Sequence, residues 1–308
     1  MANKTSRPLH NFELVEHFLQ NALQYNIENS DNYNIVPDIV STELNIENFD
    51  ESLISKNSKS YRTLEYRLDN QRISLQNTIV LELLSQIRLE SDEEIELGKG
   101  GAFPKSGLHT KNNAYILIGL PASGKSEISS KVADKFHCLL LDSDYAKRKL
   151  PEYSKLPFGA TLVHEESDYI IFGENKPHKF KSLFDYCIDT NCNIVLPKIG
   201  SNYESLILLI KLLKKNKYNV HLTLVELDRI KATQRALNRF KTTRRYVPLS
   251  LIFDTYNNSP TNAFYKIITY NSNLLKSFGV ISTDVPMNKA PKKILSNNDL
   301  NPAKLYKK

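Results

Sequence analysis

A chain of 308 residues with 41% apolar side chains can bury a sizeable core and form roughly two domains of about 100–200 residues each. Three cysteines cannot all pair, and no CxxC or Cys/His spacing marks a zinc site. Of the net +7, the lysine-rich stretch after residue 284 (Lys289, Lys292, Lys293, Lys304, Lys307 and Lys308 against Asp299) carries +5 and all that precedes it only +2, so nucleic acid is an unfavoured partner.

Residues 1–97 read as a helical N-terminal region. HNFELVEHFLQNALQY sets Phe12, Leu14, Val15, Phe18, Leu19 and Leu23 on one connected face, and TLEYRLDNQRISLQNTIVLELLSQIRL repeats that periodicity over a longer span. A polar, Asn/Asp-rich connection is expected around residues 28–60. The N-terminus lacks a signal core, and no apolar run approaches the ~20 residues of a membrane span. These features imply a cytoplasmic protein without a membrane partner, whether or not it is delivered elsewhere as an effector.

Residues 98–111 hold Gly98, Gly100, Gly101 and Gly107. Such density predicts a flexible linker, or a flap bringing Lys99 or Lys105 toward a phosphate. From 112 to 285 short apolar runs (AYILIGL, HCLLLDSD, CNIVLPKIG, NVHLTLVEL) alternate with helical ones (KSEISSKVADKF, ESLILLIKLLKKN, IKATQRALNRF). That alternation predicts an α/β domain whose parallel sheet is sandwiched by helices. Residues 286–308 read as a loosely ordered basic tail.

The first strand runs into GLPASGKS, so Gly119, Gly124, Lys125 and Ser126 satisfy GxxxxGK[ST] between a strand and a helix. Gly119, Pro121, Ala122, Ser123 and Gly124 would wrap the phosphates of ATP, Lys125 would reach the β- and γ-phosphates, and the Ser126 hydroxyl would ligate Mg²⁺. The second strand, expected beside the first, ends in Asp142-Ser143-Asp144. There Asp142 can hold the Mg²⁺ shell and Asp144 can accept the proton of an attacking hydroxyl, although an Asx cap on the next helix uses the same residues.

FGATLVHEESDYIIF is expected to be a helix offering His164, Glu165 and Asp168 to a substrate, or simply a solvated face; its HEES lacks the second histidine of a zincin. In DRIKATQRALNRFKTTRRYVP, Arg235 and Arg239 share a helix face ahead of Arg244 and Arg245. Guanidinium groups on a lid would clamp the charge of a transferring phosphoryl group.

In that order, GLPASGKS, LLLDSDYAKRKLPEY and QRALNRFKTTRRYVP resemble the zeta-toxin family of P-loop kinases over roughly residues 112–270. The resemblance implies a general base at Asp144, phosphate and metal contacts at Lys125 and Ser126, and ATP-phosphate arginines at Arg239 and Arg245. It also implies transfer of the ATP γ-phosphate to a hydroxyl of a nucleotide-linked metabolite, and an antitoxin or chaperone as protein partner. Type members carry an acidic EGT-like segment after the third strand and phosphorylate UDP-N-acetylglucosamine. Here LPKIGSNYES stands instead, with a cation at Lys198. An acceptor richer in phosphate suits that change, such as the NAD-type dinucleotide used by bacterial effectors of the superfamily. A polynucleotide 5′-hydroxyl kinase and a nucleotide-gated interaction module stay open as alternatives.

Overall fold

Five parallel strands and one antiparallel edge strand form a single sheet in this computed structural model, which describes residues 7–27, 35–155, 159–174, 180–286 and 289–307. The strands are β1 (Asn113–Ile118), β2 (Leu139–Leu140), β3 (Ile194–Lys198), β4 (Asn219–Glu226), β5 (Ser277–Ser282) and β6 (Lys292–Ser296), in the order β2-β3-β1-β4-β5-β6. The near-continuous apolar runs of β1, β3 and β4 are buried on both faces, as parallel strands under helices require. β1 pairs with β3 on one side and β4 on the other. It therefore opens at the switch point where ligands enter doubly wound sheets. The second strand does not lie beside the first as expected: β3 intervenes, and the two-residue β2 pairs only with β3.

The helices around the sheet bury one stripe each. α4 (Lys125–Lys135), starting directly after the phosphate loop, buries Ile128, Val132 and Ala133. α8 (Leu183–Thr190) buries Leu183, Phe184 and Cys187. α9 (Tyr203–Lys215) buries Leu206, Ile207, Ile210 and Leu213, and Asn202 caps it by accepting the Ser205 N–H at 2.7 Å. α10 (Arg229–Thr243) is capped by Asp228, whose Oδ1 accepts from the Ile230 and Lys231 N–H groups at 2.8 and 3.4 Å.

The N-terminal region is divided between two sides of the sheet domain. α1 (Phe12–His17), which continues as a π turn over Phe18–Ala22, and α2 (Ile35–Glu47) pack Val15, Phe18, Leu19, Leu23, Ile39 and Val40 against Ala236, Leu237 and Phe240 of α10. α2 falls inside the stretch expected to be a polar connection; residues 28–34 of that stretch lie outside the described ones. α3 (Asp69–Ser85) instead joins the main core through Leu75, Ile79, Val80 and Leu83.

Residues 98–111 are a packed connection rather than a free linker or flap. A Cβ on Gly101 would stand 2.1 Å from the Gln86 carbonyl oxygen. Here glycine serves close approach. Ala102 donates to Leu83 O at 2.9 Å and accepts from Leu140 N at 3.1 Å, knitting this segment to α3 and β2. Lys99 and Lys105 pair with Glu94 and Glu90, away from the phosphate loop. The basic tail is ordered as well. β6 pairs with β5, and the fully buried Asn301 donates to Leu222 O and Ser277 Oγ, both at 3.2 Å. Met287, Asn288 and Lys308 lie outside the described residues.

One buried ion network joins α3 to the core. Arg72 donates to Glu166 at 2.6 and 2.7 Å and to Glu152 at 3.0 Å from both terminal nitrogens; Gln76 adds a 2.7 Å bond to Glu166. Glu152 follows α5 (Ser143–Lys149), and Glu166 sits in α7 (His164–Phe172), which the short α6 (Gly159–Leu162) precedes. Burial alone would raise the Glu166 pKa, but the hydrogen bond and charge of Arg72 outweigh it and hold the carboxyl below its ordinary range. Arg72→Ala strands two buried carboxylates and should cost about 3–5 kcal/mol in urea unfolding. An unchanged midpoint would show that the network contributes nothing.

Candidate active site

The loop after β1 is shaped by backbone constraints. Gly119 donates to Ile199 O at 3.1 Å, and a Cβ there would meet the Val225 carbonyl oxygen at 2.4 Å. Ala122 at φ 59° and Gly124 at φ 85° take left-handed conformations, and Gly124 ends the loop as the N-cap of α4. A non-glycine residue held there stores strain of roughly 1–3 kcal/mol, which concentrates at functional sites. The buried Ser123 accepts the Thr283 hydroxyl at its carbonyl at 2.8 Å, tying the loop to the end of β5, while Pro121 lies half-buried beside it.

Lys125 folds back into this loop, its Nζ donating to the carbonyls of Gly119 at 2.8 Å and Leu120 at 2.6 Å. Burial lowers its pKa to about 8, against the charges of Asp142 and Asp144, which raise it. Ser126, one residue on, is exposed.

The two expected carboxylates have different surroundings. Asp142 is the N-cap of α5, its Oδ1 accepting the Asp144 N–H at 3.0 Å, so the capping role and a place in the site coexist. Burial and the neighbouring charge of Asp144 push its pKa up to about 6. Burial also acts on Asp144, but Lys147, 3.1 Å away, and Arg245, whose Nη2 donates to Oδ2, hold that carboxyl well below the ordinary range.

α10 supplies two of the expected arginines. Arg235 donates to Thr283 O at 2.7 Å and, with Lys231, Asn238 and Pro286, lines a cavity of about 470 Å³ flanking the loop. Arg239 has a buried Nε without a hydrogen-bond partner among the described residues. Burial and the charge of Arg245 lower its pKa. Orphaned buried donors are rare, and this one fits an anion such as a nucleotide phosphate. Arg244, by contrast, ends α10 at φ 59° and pairs with Asp38 of α2, turned away from the site.

The proposed acceptor residues gather at the start of α5 and the end of β3. Asp168 accepts the Ser143 hydroxyl and lies 4.0 Å from His164 Nε2. Burial and then Lys147 keep the His164 pKa low. Glu165 is half-buried on the first turn of α7. Lys198 stands opposite Ile118 in the pairing, its Nζ 3.4 Å from the Phe172 ring centroid. Burial lowers its pKa while Asp168 and Asp142 raise it. The helix expected from Phe158 onward is interrupted between α6 and α7, and Phe158 itself lies outside the described residues.

Sequence reasoning missed Lys147, Arg148 and Glu93. Glu93 lies in the turn Asp92–Glu94 and pairs with Arg148 at 2.8 Å and with Arg245 at 3.6 Å. The acidic run ESDEEIE was visible, but nothing local connected Glu93 to Arg148 or Arg245, which lie far along the chain.

A parallel sheet whose central strand enters GxxxxGK[ST], with carboxylates and guanidinium groups facing that loop, is the architecture of a P-loop kinase. The Zeta toxin family model matches residues 105–266, more than half of the chain, and the chain belongs to that family of kinases. Among solved structures, it is similar to one from the PezAT chromosomal toxin-antitoxin system of Streptococcus pneumoniae, with 14% identity, 65% of this chain and 79% of that chain covered, and a TM-score of 0.44. It is also similar to two structures of AvrRxo1-ORF1:AvrRxo1-ORF2. The one with sulphate ions has 16% identity, coverages of 75% and 68% and a TM-score of 0.48; the one with ATP has 13%, 76% and 68%, and 0.43. No curated protein matches.

Because the Lys125 pKa lies near 8 in the folded chain, below its ordinary 10.5, the unfolded chain binds more protons between those values. Stability from this group therefore rises as pH climbs through that window. Lys125→Met should lack the rise and be at least as stable as the native chain near neutral pH. Melting curves from about pH 7 to about pH 10 check this; an equal rise in the variant would exclude Lys125 as its source.

Proposed function

We propose that the chain is an ATP- and Mg²⁺-dependent kinase that transfers the γ-phosphate to a hydroxyl of a nucleotide-linked metabolite. The carrying observation is the convergence of Asp144 and Arg245 near Arg239, whose buried Nε has no partner among the described residues. ATP phosphates would lie in the loop from Gly119 to Ser126, with Arg235 beside the flanking cavity for the rest of the nucleotide. Among the described residues no three His, Cys, Asp or Glu side chains gather around a metal position. Ser126 and Asp142 can still supply two ligands to Mg²⁺, which commonly takes the others from phosphate and water; the ion would neutralise charge between the phosphates.

Asp144 then orients the acceptor hydroxyl and takes its proton. Its low pKa makes it a weak base, which suffices because the transition state is loose and the hydroxyl becomes strongly acidic only as its bond to phosphorus forms. When phosphate enters, Arg245 shifts from Asp144 toward it, freeing the carboxylate for the hydroxyl. Lys125 and Arg239 stabilise the charge on the transferring group.

Lys198 beside Asp168 and the Phe172 ring favours an acceptor that offers a phosphate and an aromatic or sugar face. An NAD-type dinucleotide suits this set best, and a sugar nucleotide of the UDP-N-acetylglucosamine type is the other member of the class. Membership of a toxin family supports an antitoxin or chaperone as protein partner. Among the described residues no helix is long and apolar enough to cross a membrane.

Incubation with ATP, Mg²⁺ and either NAD or UDP-N-acetylglucosamine, read by mass spectrometry, should show acceptor gaining one phosphoryl group. Asp144→Asn should retain the fold and lose about 10²–10⁴-fold in rate; undiminished transfer by the folded variant would remove Asp144 as the base. Lys198→Met should raise the acceptor KM with the KM for ATP unchanged, and the reverse pattern would place Lys198 on the ATP side.

A further inference from the structure

The turn Asp92–Glu94 belongs to the N-terminal region, yet it is seated on the helix that carries the base. The Tyr145 hydroxyl donates to Asp92 at 2.6 Å, Ser91 caps the turn through the Glu93 N–H at 3.3 Å, and Ile95 is buried just after it. Asp144 and Arg148 are one helical turn apart on α5 and share a face. Arg148 is 5% exposed at its side chain and lies over the Tyr153 ring, and its Nη2 forms an ion pair with Glu93 at 2.8 Å without hydrogen-bond geometry. Arg245 fills the gap between the carboxylates, Nη2 on Asp144 and Nη1 3.6 Å from Glu93. The charges therefore alternate along one line: Asp144, Arg245, Glu93, Arg148.

Resting on the kinase reading above, we propose that Glu93 is a positioning residue for Arg245, retaining one end of its guanidinium while the other end exchanges Asp144 for the ATP γ-phosphate. An arginine fork can serve two anions at once because its donors are fixed in one plane. Once Asp144 is given over to the acceptor hydroxyl, Glu93 is the carboxylate still within ion-pair reach of Arg245 among the described residues. Without it, the Arg245 side chain would be tethered only by the ligand it must bind, and its ordering would oppose binding. Glu93 is itself half exposed, so its value lies in fixing the geometry of Arg245 more than in raw attraction.

The test uses the full chain and compares ATP with ADP, both with Mg²⁺, by titration calorimetry. Glu93→Gln should weaken ATP binding about 10-fold, equivalent to roughly 1.4 kcal/mol, and leave ADP binding unchanged, because only ATP carries the phosphate that Arg245 meets. Glu93→Asp should recover most of the loss, and Glu93→Gln should cost nothing further in an Arg245→Ala background. Equal losses for ATP and ADP, or a loss that persists without Arg245, would overturn the assignment and leave Glu93 a purely structural partner of Arg148. Failure of the native chain to bind either nucleotide would instead overturn the kinase reading itself, and this inference with it.

Discussion

The buried guanidinium of Arg72 is the contact on which the relation between the N-terminal region and the kinase core depends. Two carboxylates from separate parts of the core, Glu152 after α5 and Glu166 within α7, meet on one side chain of α3. A buried carboxylate without a counter-charge is costly, and a fully bonded group is not. Satisfaction of this network therefore selects one placement of α3 against α7. Since α7 also carries His164 and Asp168, a helix with no catalytic motif sets where those two proposed acceptor residues stand.

The opposite side is held by different physics. α1 and α2 cover α10 with aliphatic and aromatic side chains, joined by polar contacts such as the Gln234 amide donating to Leu23 O at 2.9 Å and Arg7 pairing with Asp254 at 3.2 Å. Leu120 of the phosphate loop lies in the same cluster. Arg235 and Arg239 thus project from a helix braced along its other face. The N-terminal residues act as two separate supports, an ionic one beside α7 and an apolar one behind α10.

What was legible in the sequence follows from how local each signal is. The phosphate loop needs only a strand, glycines and a helix start in succession, and β1, β3 and β4 announce themselves as buried apolar runs. β5 was missed because Ser277 and Gly279 interrupt its apolar pattern. Both have long-range causes: Ser277 bonds Asn301, and a Cβ on Gly279 would stand 2.2 Å from the Asn301 side chain. The tail looked disordered for the complementary reason, since its composition is polar and its attachment rests on long-range contacts: β6 paired with β5, the bonded Asn301, and Ala303 packed in the core. Gly101 misled in the same way, its missing side chain read as freedom when it serves contact. In the site, Lys125 and Asp144 follow from motif and position and Arg245 from the family resemblance, whereas the order of β2 and β3, and Glu93 beside the arginines, depend on tertiary contacts that no local pattern encodes.

The electrostatics of the cleft divide labour between two carboxylates only two residues apart. Asp142, raised by burial and by the charge of Asp144 against the Asp144 N–H, Lys147 and Lys198, is a carboxyl at which a cation would compete with a proton. Asp144, surrounded by Lys147 and Arg245, stays ionised at every physiological pH. Environments that drive paired acids apart mark distinct roles. On the kinase reading proposed above, they would separate a carboxylate suited to a metal from one that stays ionised to receive a hydroxyl. In the free chain that carboxylate is occupied by Arg245, just as Lys125 is occupied by loop carbonyls. Each cation that a nucleotide phosphate would use is thus engaged by the protein, except at Arg239 Nε, where a buried donor has no partner among the described residues. Binding ATP would exchange these internal bonds for phosphate contacts and, in releasing Arg245 from Asp144, make the base available only once the phosphoryl donor is in place.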